Sequence, residues 1–446
     1  MLATYAKAVA AMKAKPDGDP LSWTFQWYTH FVNGPQDMTG KSNEINRIYG
    51  TQPSDNRSLA EAAWSTCQSH LGQLEDNFLP WHRMYVYYFE QIIRQVSGDP
   101  TFTLPYWDYT DPRQQAVPPE FRMPDDPVFK SLFQESRTLS PAGNVNSGAA
   151  ITAANDAPAA ALNLLAMRAR SYSGDTGFCS LLDSSPHGLV HVFTGTDTNM
   201  GAVPTAAGDP VFWIHHSNID RIWASWNAAG RENPTDPNWL SSSFTFAGPD
   251  GKSVQPVIKD FLDTAALGYT YDALLKPPAP TFRLNTAAGT QAPSTLFAAR
   301  GGPLGRSPLR VKLERSAPVG GATSVPSLKT AAGSRQMFLK LMLSATAQPN
   351  MIFNVYLGMP PEKEGTPQSS AYYVGTIGFF DVIPHAGHGG GAPTQKVRYL
   401  DITEQLASLK KQGLLRDEPP SITFLPSDEP AVNSNPAVGD MALLVR

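Results

Sequence analysis

The chain has 446 residues, of which 41% are hydrophobic and 17% charged, a composition typical of a globular protein with more than one domain. Its net charge of -4 is spread without blocks of like charge, so neither nucleic acid nor an anionic membrane is indicated as a partner. No apolar run approaches the roughly 18 residues that a membrane helix needs, and lysines interrupt the region where a signal peptide would be apolar. We therefore expect a cytoplasmic protein without a membrane anchor, whose partner is a small molecule or a protein.

The N-terminal half contains segments whose apolar residues recur at three and four positions, the spacing of amphipathic helices. This spacing predicts helices over residues 2–14, 21–31, 58–71, 80–96 and 209–226. Ser58 and Glu61 have the spacing of a capping box at the start of the third helix. Asp209 followed by Pro210 is a typical start for the fifth helix, and Gly98 is placed to end the fourth.

The sequence pattern changes at about residue 276. Residues 276–310 are rich in Pro, Ala, Gly and Thr without a helical period, which indicates a linker or an extended segment. Residues 311–446 contain short runs of β-branched and aromatic residues separated by turn residues, with one helical pattern over 402–415. We predict a mainly α-helical domain over 1–275, a linker over 276–310 and an all-β sandwich domain over 311–446.

Histidines are concentrated in the helical half, each in or beside a predicted helix. They are His30, His70, His82, His187, His191, His215 and His216. His187 and His191 are four residues apart, so on a helix both imidazoles leave one face and can share a metal ion. Such a pair is weak evidence alone, because carbonyl groups often satisfy core imidazoles. Counting one histidine of the adjacent pair, six candidate ligands form two sets of three, and imidazoles alone leave copper, zinc, iron and nickel open.

Four motifs occur in the order known from one protein family. They are FLPWHRMYVYYFE (78–90), LPYWDY (104–109), PHGLVHVFTG (186–195) and DPVFWIHHSNIDRIW (209–223). On these motifs the chain resembles the type-3 dicopper family of tyrosinases, catechol oxidases (polyphenol oxidases) and haemocyanins. The resemblance implies a four-helix-bundle dicopper core. One copper ion is then expected on His30, His70 and His82, and the second on His187, His191 and one histidine of the pair.

The resemblance continues beyond the histidines. The Tyr-x-Tyr element at Tyr269 and Tyr271 is similar to the end of the plant-type catalytic domain, and residues 351–359 and 371–385 are similar to its C-terminal sandwich. In that family the sandwich lies over the copper site and keeps the enzyme latent until it is displaced or cleaved. The same shielding role is therefore implied for residues 311–446.

The activity implied by the resemblance is oxidation of ortho-diphenols to ortho-quinones, with a phenolic small molecule and O2 as partners. A haemocyanin-like reversible oxygen carrier is the alternative, whereas a zinc hydrolase would normally need a carboxylate at the metal. For monophenol hydroxylation, family members are thought to hold a water between an acidic residue and an Asn beside the first ligand of the second copper. The corresponding residues are Asp183 and Gly188, and the missing amide favours diphenols. Asp183 fits a helix cap equally well.

His215 and His216 cannot both point equally at one ion, because successive helical residues are about 100° apart. We predict that His216 is the ligand, because Asp220 lies one turn further on the same face and can accept its imidazole N–H. His215 then has a supporting role. Phe212, one turn before His216, is expected close to the second copper ion.

Two features depart from the family pattern. The separation between His70 and His82 is longer than usual. Many members link a cysteine to the second ligand of the first copper by a thioether, often with one residue between, whereas Cys67 lies three residues before His70. A thioether, a disulfide between Cys67 and Cys179, and a free thiol therefore all stay open.

Overall fold

The computed structural model describes residues 1–32, 38–68, 75–137, 139–140, 143–279, 293–316, 327–382, 395–416 and 418–446. These residues form two compact units. The first unit is Met1–Pro277, and the second is built from the described residues that follow. Each unit has its own secondary structure and core.

The first unit is mainly helical. Its helices α1 to α10 are Leu2–Lys13, Trp23–His30, Met38–Tyr49, Asp55–Ala63, Phe78–Ser97, Phe178–Leu182, Gly188–Thr194, Val203–Ala206, Val211–Ala228 and Pro237–Ser241. Two short ribbons, β1–β2 and β3–β4, pair Leu139–Ser140 with Gly143–Asn144 and Phe246–Ala247 with Ser253–Val254. Long loops and short 3₁₀ turns connect the helices. The predicted helices over 2–14, 21–31, 80–96 and 209–226 correspond to α1, α2, α5 and α9.

Helices α5 and α9 pack against each other at the centre of this unit. The rings of Phe89 on α5 and Trp213 on α9 stack with centroids 3.4 Å apart. Every residue of α9 from Val211 to Trp223 is buried, as expected for a helix surrounded by other elements. Gly98 ends α5 in the left-handed conformation, at φ 71°, which a glycine adopts without steric cost. The predicted end of this helix is therefore correct.

The predicted start of the helix over 58–71 is wrong. Helix α4 begins at Asp55, and the side chain of Ser54 accepts a hydrogen bond from the Arg57 N–H. Ser58 lies inside the helix. The helix ends at Ala63, because the next backbone groups bond to another helix: the N–H of Ser65 donates to the carbonyl of Tyr28. The end of α4 is therefore set by a tertiary contact, which the local spacing of residues does not report.

The second unit contains two antiparallel sheets. Strands β5 to β13 are Ser294–Pro303, Leu309–Lys312, Glu314–Arg315, Met337–Ser344, Phe353–Leu357, Tyr373–Ile377, Lys396–Asp401, Ser421–Pro426 and Ala437–Val445, and helices α11 and α12 are Leu328–Ala331 and Thr403–Lys411. One sheet has the order β10-β9-β12-β6 and the other the order β11-β8-β13-β5-β7. Side chains from both sheets form one hydrophobic core. The predicted fold class, a mainly α domain followed by an all-β one, is confirmed.

Part of the predicted linker over 276–310 is a strand of this unit. Strand β5 pairs with β13 on one side and β7 on the other, with Ser294 opposite Val445 and Pro303 opposite Ala437. Leu296 and Phe297 are buried. The rest of β5 is mostly alanine, glycine and proline, which have low strand propensity. The segment is a strand because it pairs with β13, about 140 residues further along the chain. Its composition alone pointed to a loop. Residues 280–292 lie outside the described residues.

Candidate metal centre

Two clusters of potential metal ligands lie in the first unit. One consists of His187, His191, His215 and His216, and the other of His30, Cys67 and His82. Within each cluster the ligand atoms lie within 4.8 Å of one another, and all seven residues are buried. The two clusters adjoin, because the rings of His82 and His216 stack with centroids 4.3 Å apart. Helices α2, α5, α7 and α9 carry five of the six histidines, and His187 directly precedes α7.

Four of the imidazoles are held through Nδ1 by a backbone carbonyl. A carbonyl oxygen only accepts hydrogen bonds, so Nδ1 carries the proton and Nε2 presents its lone pair. This is the arrangement in which protein histidines bind metal ions. The pairs are His30 with Val203 at 3.1 Å, His82 with Phe78 at 2.8 Å, His187 with Asp183 at 3.0 Å and His191 with Met200 at 2.9 Å.

The arrangement of His187 and His191 calls for a cation. Their Nε2 atoms are 3.2 Å apart. Both Nδ1 atoms face acceptors, so when neither Nε2 carries a proton the two Nε2 lone pairs point at each other, which is repulsive. A metal ion bound by both nitrogens converts this repulsion into two bonds. The predicted pairing of these residues at one ion is thus chemically consistent.

His215 and His216 provide an independent test of whether a metal fits. Both are at most 1% exposed, and among the described residues neither ring nitrogen of either one has a hydrogen-bond partner. A buried polar group without a partner costs about 1–3 kcal/mol. Coordination to a metal removes that cost for a ligating nitrogen. The donor set therefore fits metal ions bound by imidazole.

Burial keeps these imidazoles neutral. It lowers the pKa of His82, His191, His215 and His216 well below the usual 6.5, and neighbouring imidazoles lower it further. Metal ions bind the neutral ring, so at neutral pH no proton has to be displaced from these nitrogens.

Asp183 lies behind a predicted ligand. Its Oδ1 is 2.9 Å from Nδ1 of His187, which also contacts the Asp183 carbonyl. Asp183 directly follows α6 with helical backbone angles, and His187 occupies the position before α7. The alternative that Asp183 caps a helix N-terminus is therefore wrong. Its contact orients the His187 ring, and a role in proton transfer stays a prediction.

Phe212 lies among the histidines of both clusters. Its ring centroid is 4.2 Å from that of His216, 5.0 Å from His30 and 5.8 Å from His191. Phe78 has a similar position on the other side, 4.7 Å from His82 and 4.6 Å from His187. Both aromatic rings restrict the orientation of the imidazoles.

The expected hydrogen bond from His216 to Asp220 is wrong. Asp220 accepts instead from Arg83 Nε and from the hydroxyls of Tyr269, at 2.7 Å, and Tyr271, at 2.5 Å. Burying a guanidinium without a carboxylate costs much more free energy than burying a neutral imidazole without one, because the guanidinium is charged. Arg83, next to His82, and the Tyr-x-Tyr element were the sequence signals for this network. His216 as the ligand stays a prediction.

Both cysteines are buried, and the structure does not join Cys67 and Cys179 in a disulfide. The Sγ of Cys67 is 3.5 Å from Nε2 of His82. Burial, with a smaller contribution from Asp183, raises the pKa of the Cys67 thiol well above its usual range. His70, the remaining predicted ligand and the partner in the possible thioether, lies outside the described residues.

A cavity of about 550 Å³ lies beside the Tyr-x-Tyr element. Its lining includes Glu90, Tyr106, Tyr269 and Tyr271 but none of the site histidines. We therefore do not assign it as the substrate pocket.

Comparison with known families identifies the chain. Residues 20–229 match the common central domain of tyrosinase, and residues 233–283 match the polyphenol oxidase middle domain. The chain belongs to the tyrosinase and polyphenol oxidase family. Residues 303–444 match a domain of unknown function. Tyrosinase-family proteins bind two copper ions through histidines, and the two histidine clusters are consistent with this cofactor.

Related sequences come from bacteria and plants. Tyrosinase HcTyr1 of Hahella sp. (strain CCB-MM4) is 35% identical over 292 residues, covering 60% of each chain. Aureusidin synthase of Antirrhinum majus is 29% identical over 60% of this chain and 49% of its own length. A chloroplastic polyphenol oxidase of Malus domestica is 30% identical over 60% of this chain and 45% of its own length. The match therefore spans about half of the length of these relatives.

Solved structures of this family share the fold. The alignment with latent apple tyrosinase covers 99% of this chain and 94% of the apple protein, with a TM-score of 0.60 and 23% identity. Latent aurone synthase aligns with 100% of this chain and 86% of its own, with a TM-score of 0.62 and 21% identity. In the described part of the chain, no helix combines the length and apolarity required to cross a bilayer.

Proposed function

We propose that this chain is a copper-dependent polyphenol oxidase that oxidises ortho-diphenols to ortho-quinones with O2. The observation that carries the proposal is the set of buried imidazoles, held through Nδ1, whose second nitrogens lie close together in two adjoining clusters. The names of the relatives support a phenolic substrate. The same relatives give no support to the oxygen-carrier alternative.

Two copper ions, when bound, would take electrons from the diphenol and pass them to O2, so that two diphenols and one O2 give two quinones and two waters. We assign one ion to His30, His70 and His82 and the other to His187, His191 and His216. The contribution of the protein is positioning, because each Nδ1–H···O=C bond fixes its ring before the metal arrives.

The aromatic residues around the two clusters restrict which molecules can enter the metal site. Phe212 and Phe78 pack against imidazoles of both clusters. Such rings exclude water and offer a flat apolar contact to a phenyl ring.

We infer that diphenols are better substrates than monophenols. Hydroxylating a monophenol requires its proton to be removed beside the metal. The carboxylate of Asp183 already contacts Nδ1 of His187. Gly188, the next residue after His187, has no side-chain amide to hold a water near that carboxylate.

We further propose that the second unit keeps the enzyme latent. The chain is similar in fold over nearly its whole length to solved proteins described as latent. Because β5 begins at Ser294 and is paired on both sides, a cut that leaves the second unit intact belongs between Pro278 and Ser294.

One experiment tests activity and latency together. A specific protease site is inserted between Pro278 and Ser294, and copper content and quinone formation are measured before and after cleavage. We expect about two copper ions per chain, oxidation of 4-methylcatechol that rises on cleavage, and slow turnover of tyramine or tyrosine. A cleaved His187→Ala variant is the inactive control.

Three results would each contradict a different part of the proposal. Reversible oxygenation without quinone, even after cleavage, would favour an oxygen carrier. Unchanged activity after complete cleavage would remove the latency proposal only. Fast tyrosine hydroxylation without a lag would reverse the preference for diphenols.

A further inference from the structure

We propose that a second cavity of the first unit binds a small aromatic hydroxycarboxylate, at a site separate from the two histidine clusters. The cavity has a volume of about 560 Å³. It lies between the C-terminal part of α9, the residues that follow α9, and the loop after α10. None of the described histidines lines it. This binding site therefore does not depend on the copper chemistry of the proposed function.

Arg83 supplies the buried positive group of this cavity. Its Nε donates to Asp220, and its Nη1 donates to the carbonyls of Phe261 and Leu262, each at 3.0 Å. Within the described ranges Nη2 has no hydrogen-bond partner, although the side chain is 0% exposed. Because Arg83 lines the cavity, Nη2 is the donor that it has left for a ligand there. A buried guanidinium nitrogen without an acceptor is costly, and an anionic oxygen is its strongest partner.

Arg231 and Asn227, which also line the cavity, add a second donor and an acceptor. Nε of Arg231 and Oδ1 of Asn227 are buried, and neither atom has a partner in the part of the chain that the structure describes. The Asn227 amide is oriented, because its Nδ2 donates to the Arg231 carbonyl and to Oδ1 of Asn233, both at 3.2 Å. Two guanidinium N–H donors suit the two oxygens of a carboxylate, and an amide oxygen suits a hydroxyl group.

The rest of the lining favours an apolar ligand with a single negative charge. The apolar and aromatic side chains of the lining are Ala224, Ala228, Leu262, Tyr271 and Leu274. Glu232 and Asp263 also line the cavity and are exposed to solvent. Their negative charges disfavour anions with more than one charge, such as phosphate. A benzene ring that carries one carboxylate and one hydroxyl therefore matches the walls, the two guanidinium donors and the amide acceptor.

Calorimetric titration of the full-length, copper-loaded protein with 3- and 4-hydroxybenzoate tests the site, in the absence of oxygen so that the ligand is not oxidised. We expect Arg231→Met to weaken binding of the tighter isomer at least about tenfold, because a charge-assisted hydrogen bond is lost. Arg113→Met, which removes an arginine with an 87% exposed side chain outside the cavity, should leave binding unchanged. Benzoate and 4-hydroxybenzyl alcohol, which lack the hydroxyl and the carboxylate respectively, should both bind more weakly. Circular dichroism is the folding control.

Equal binding by the unaltered protein and by Arg231→Met would overturn the proposal, as would no binding of either isomer or tighter binding of inorganic phosphate. If Arg231→Met does not fold, a crystal structure of the unaltered protein with the tighter isomer decides, and a ligand absent from the cavity overturns the proposal. His187→Ala, which impairs the copper site, should retain the binding that Arg231→Met loses. Failure of the proposed oxidase activity would therefore leave this site standing, and loss of this site would leave the activity standing.

Discussion

His82 donates its Nδ1–H to the carbonyl of Phe78, one turn earlier in the same helix. His30 and His191 instead donate to Val203 and Met200, which lie in other segments. The first contact is local and follows from helix geometry. The other two depend on how α8 and the loop before it fold back onto the site, so they were not predictable from spacing. The partner of Asp220 was equally unpredictable from spacing, because its carboxylate accepts a hydrogen bond from Arg83 and not from His216.

At this scale the adjacent histidines give a prediction. We expect His216→Ala to reduce the copper content from two ions to one and to abolish diphenol oxidation, because the His216 ring lies between the clusters, against His82 and Phe212. His215→Ala should keep both ions. Copper per chain is measured by elemental analysis, with circular dichroism as the folding control. The opposite pattern would assign the ligand to His215.

The two central helices are tied by the ion pair between Arg83 on α5 and Asp220 on α9, whose side chains are 0% and 2% exposed. The Arg83 guanidinium also stacks on Trp223 at 3.6 Å and donates to the carbonyls of Phe261 and Leu262. Burial and then the Asp220 charge raise the pKa of Tyr271 well above 10, so its hydroxyl stays a donor. The network connects α5 and α9, two of the helices that carry site histidines, to the loop after α10.

We predict that Arg83→Met destabilises the first unit by about 3–5 kcal/mol, because it leaves the Asp220 carboxylate buried without its cation. Tyr271→Phe removes one hydrogen bond and should cost less, about 1–3 kcal/mol. Urea unfolding followed by tryptophan fluorescence measures both, since all nine tryptophans lie between Trp23 and Trp239, in the first unit. A cost below about 1 kcal/mol for Arg83→Met would show that the pair does not stabilise the fold.

Across the whole first unit, the buried histidines make stability depend on pH. Four of them have a folded-state pKa well below 6.5, namely His82, His191, His215 and His216. The unfolded chain therefore binds more protons below about pH 6.5, and stability is present above that pH and falls as the pH falls. Four protons correspond to a slope of about 5 kcal/mol per pH unit.

We expect the copper-free protein to lose most of its stability between about pH 6.5 and pH 5, since a total of 5–15 kcal/mol is typical of a domain. Urea midpoints from tryptophan fluorescence at several pH values measure this loss. His215→Ala removes one of the four groups and should reduce the slope by about 1.4 kcal/mol per pH unit. A stability that does not change across this range would contradict the burial of neutral imidazoles.

The sequence alone determined the features that depend on neighbours within a few residues. Spacing of three and four residues predicted α1, α2, α5 and α9, and the motifs around His82, His187, His191 and His216 identified the family. The tertiary structure decided the end of α4 at Ala63, the membership of Ser294–Pro303 in a sheet, the partner of Asp220 and the contact of Cys67 with His82. The physical reason is that periodicity and turn chemistry act locally, whereas buried hydrogen bonds, ion pairs and strand pairs join residues that only packing brings together.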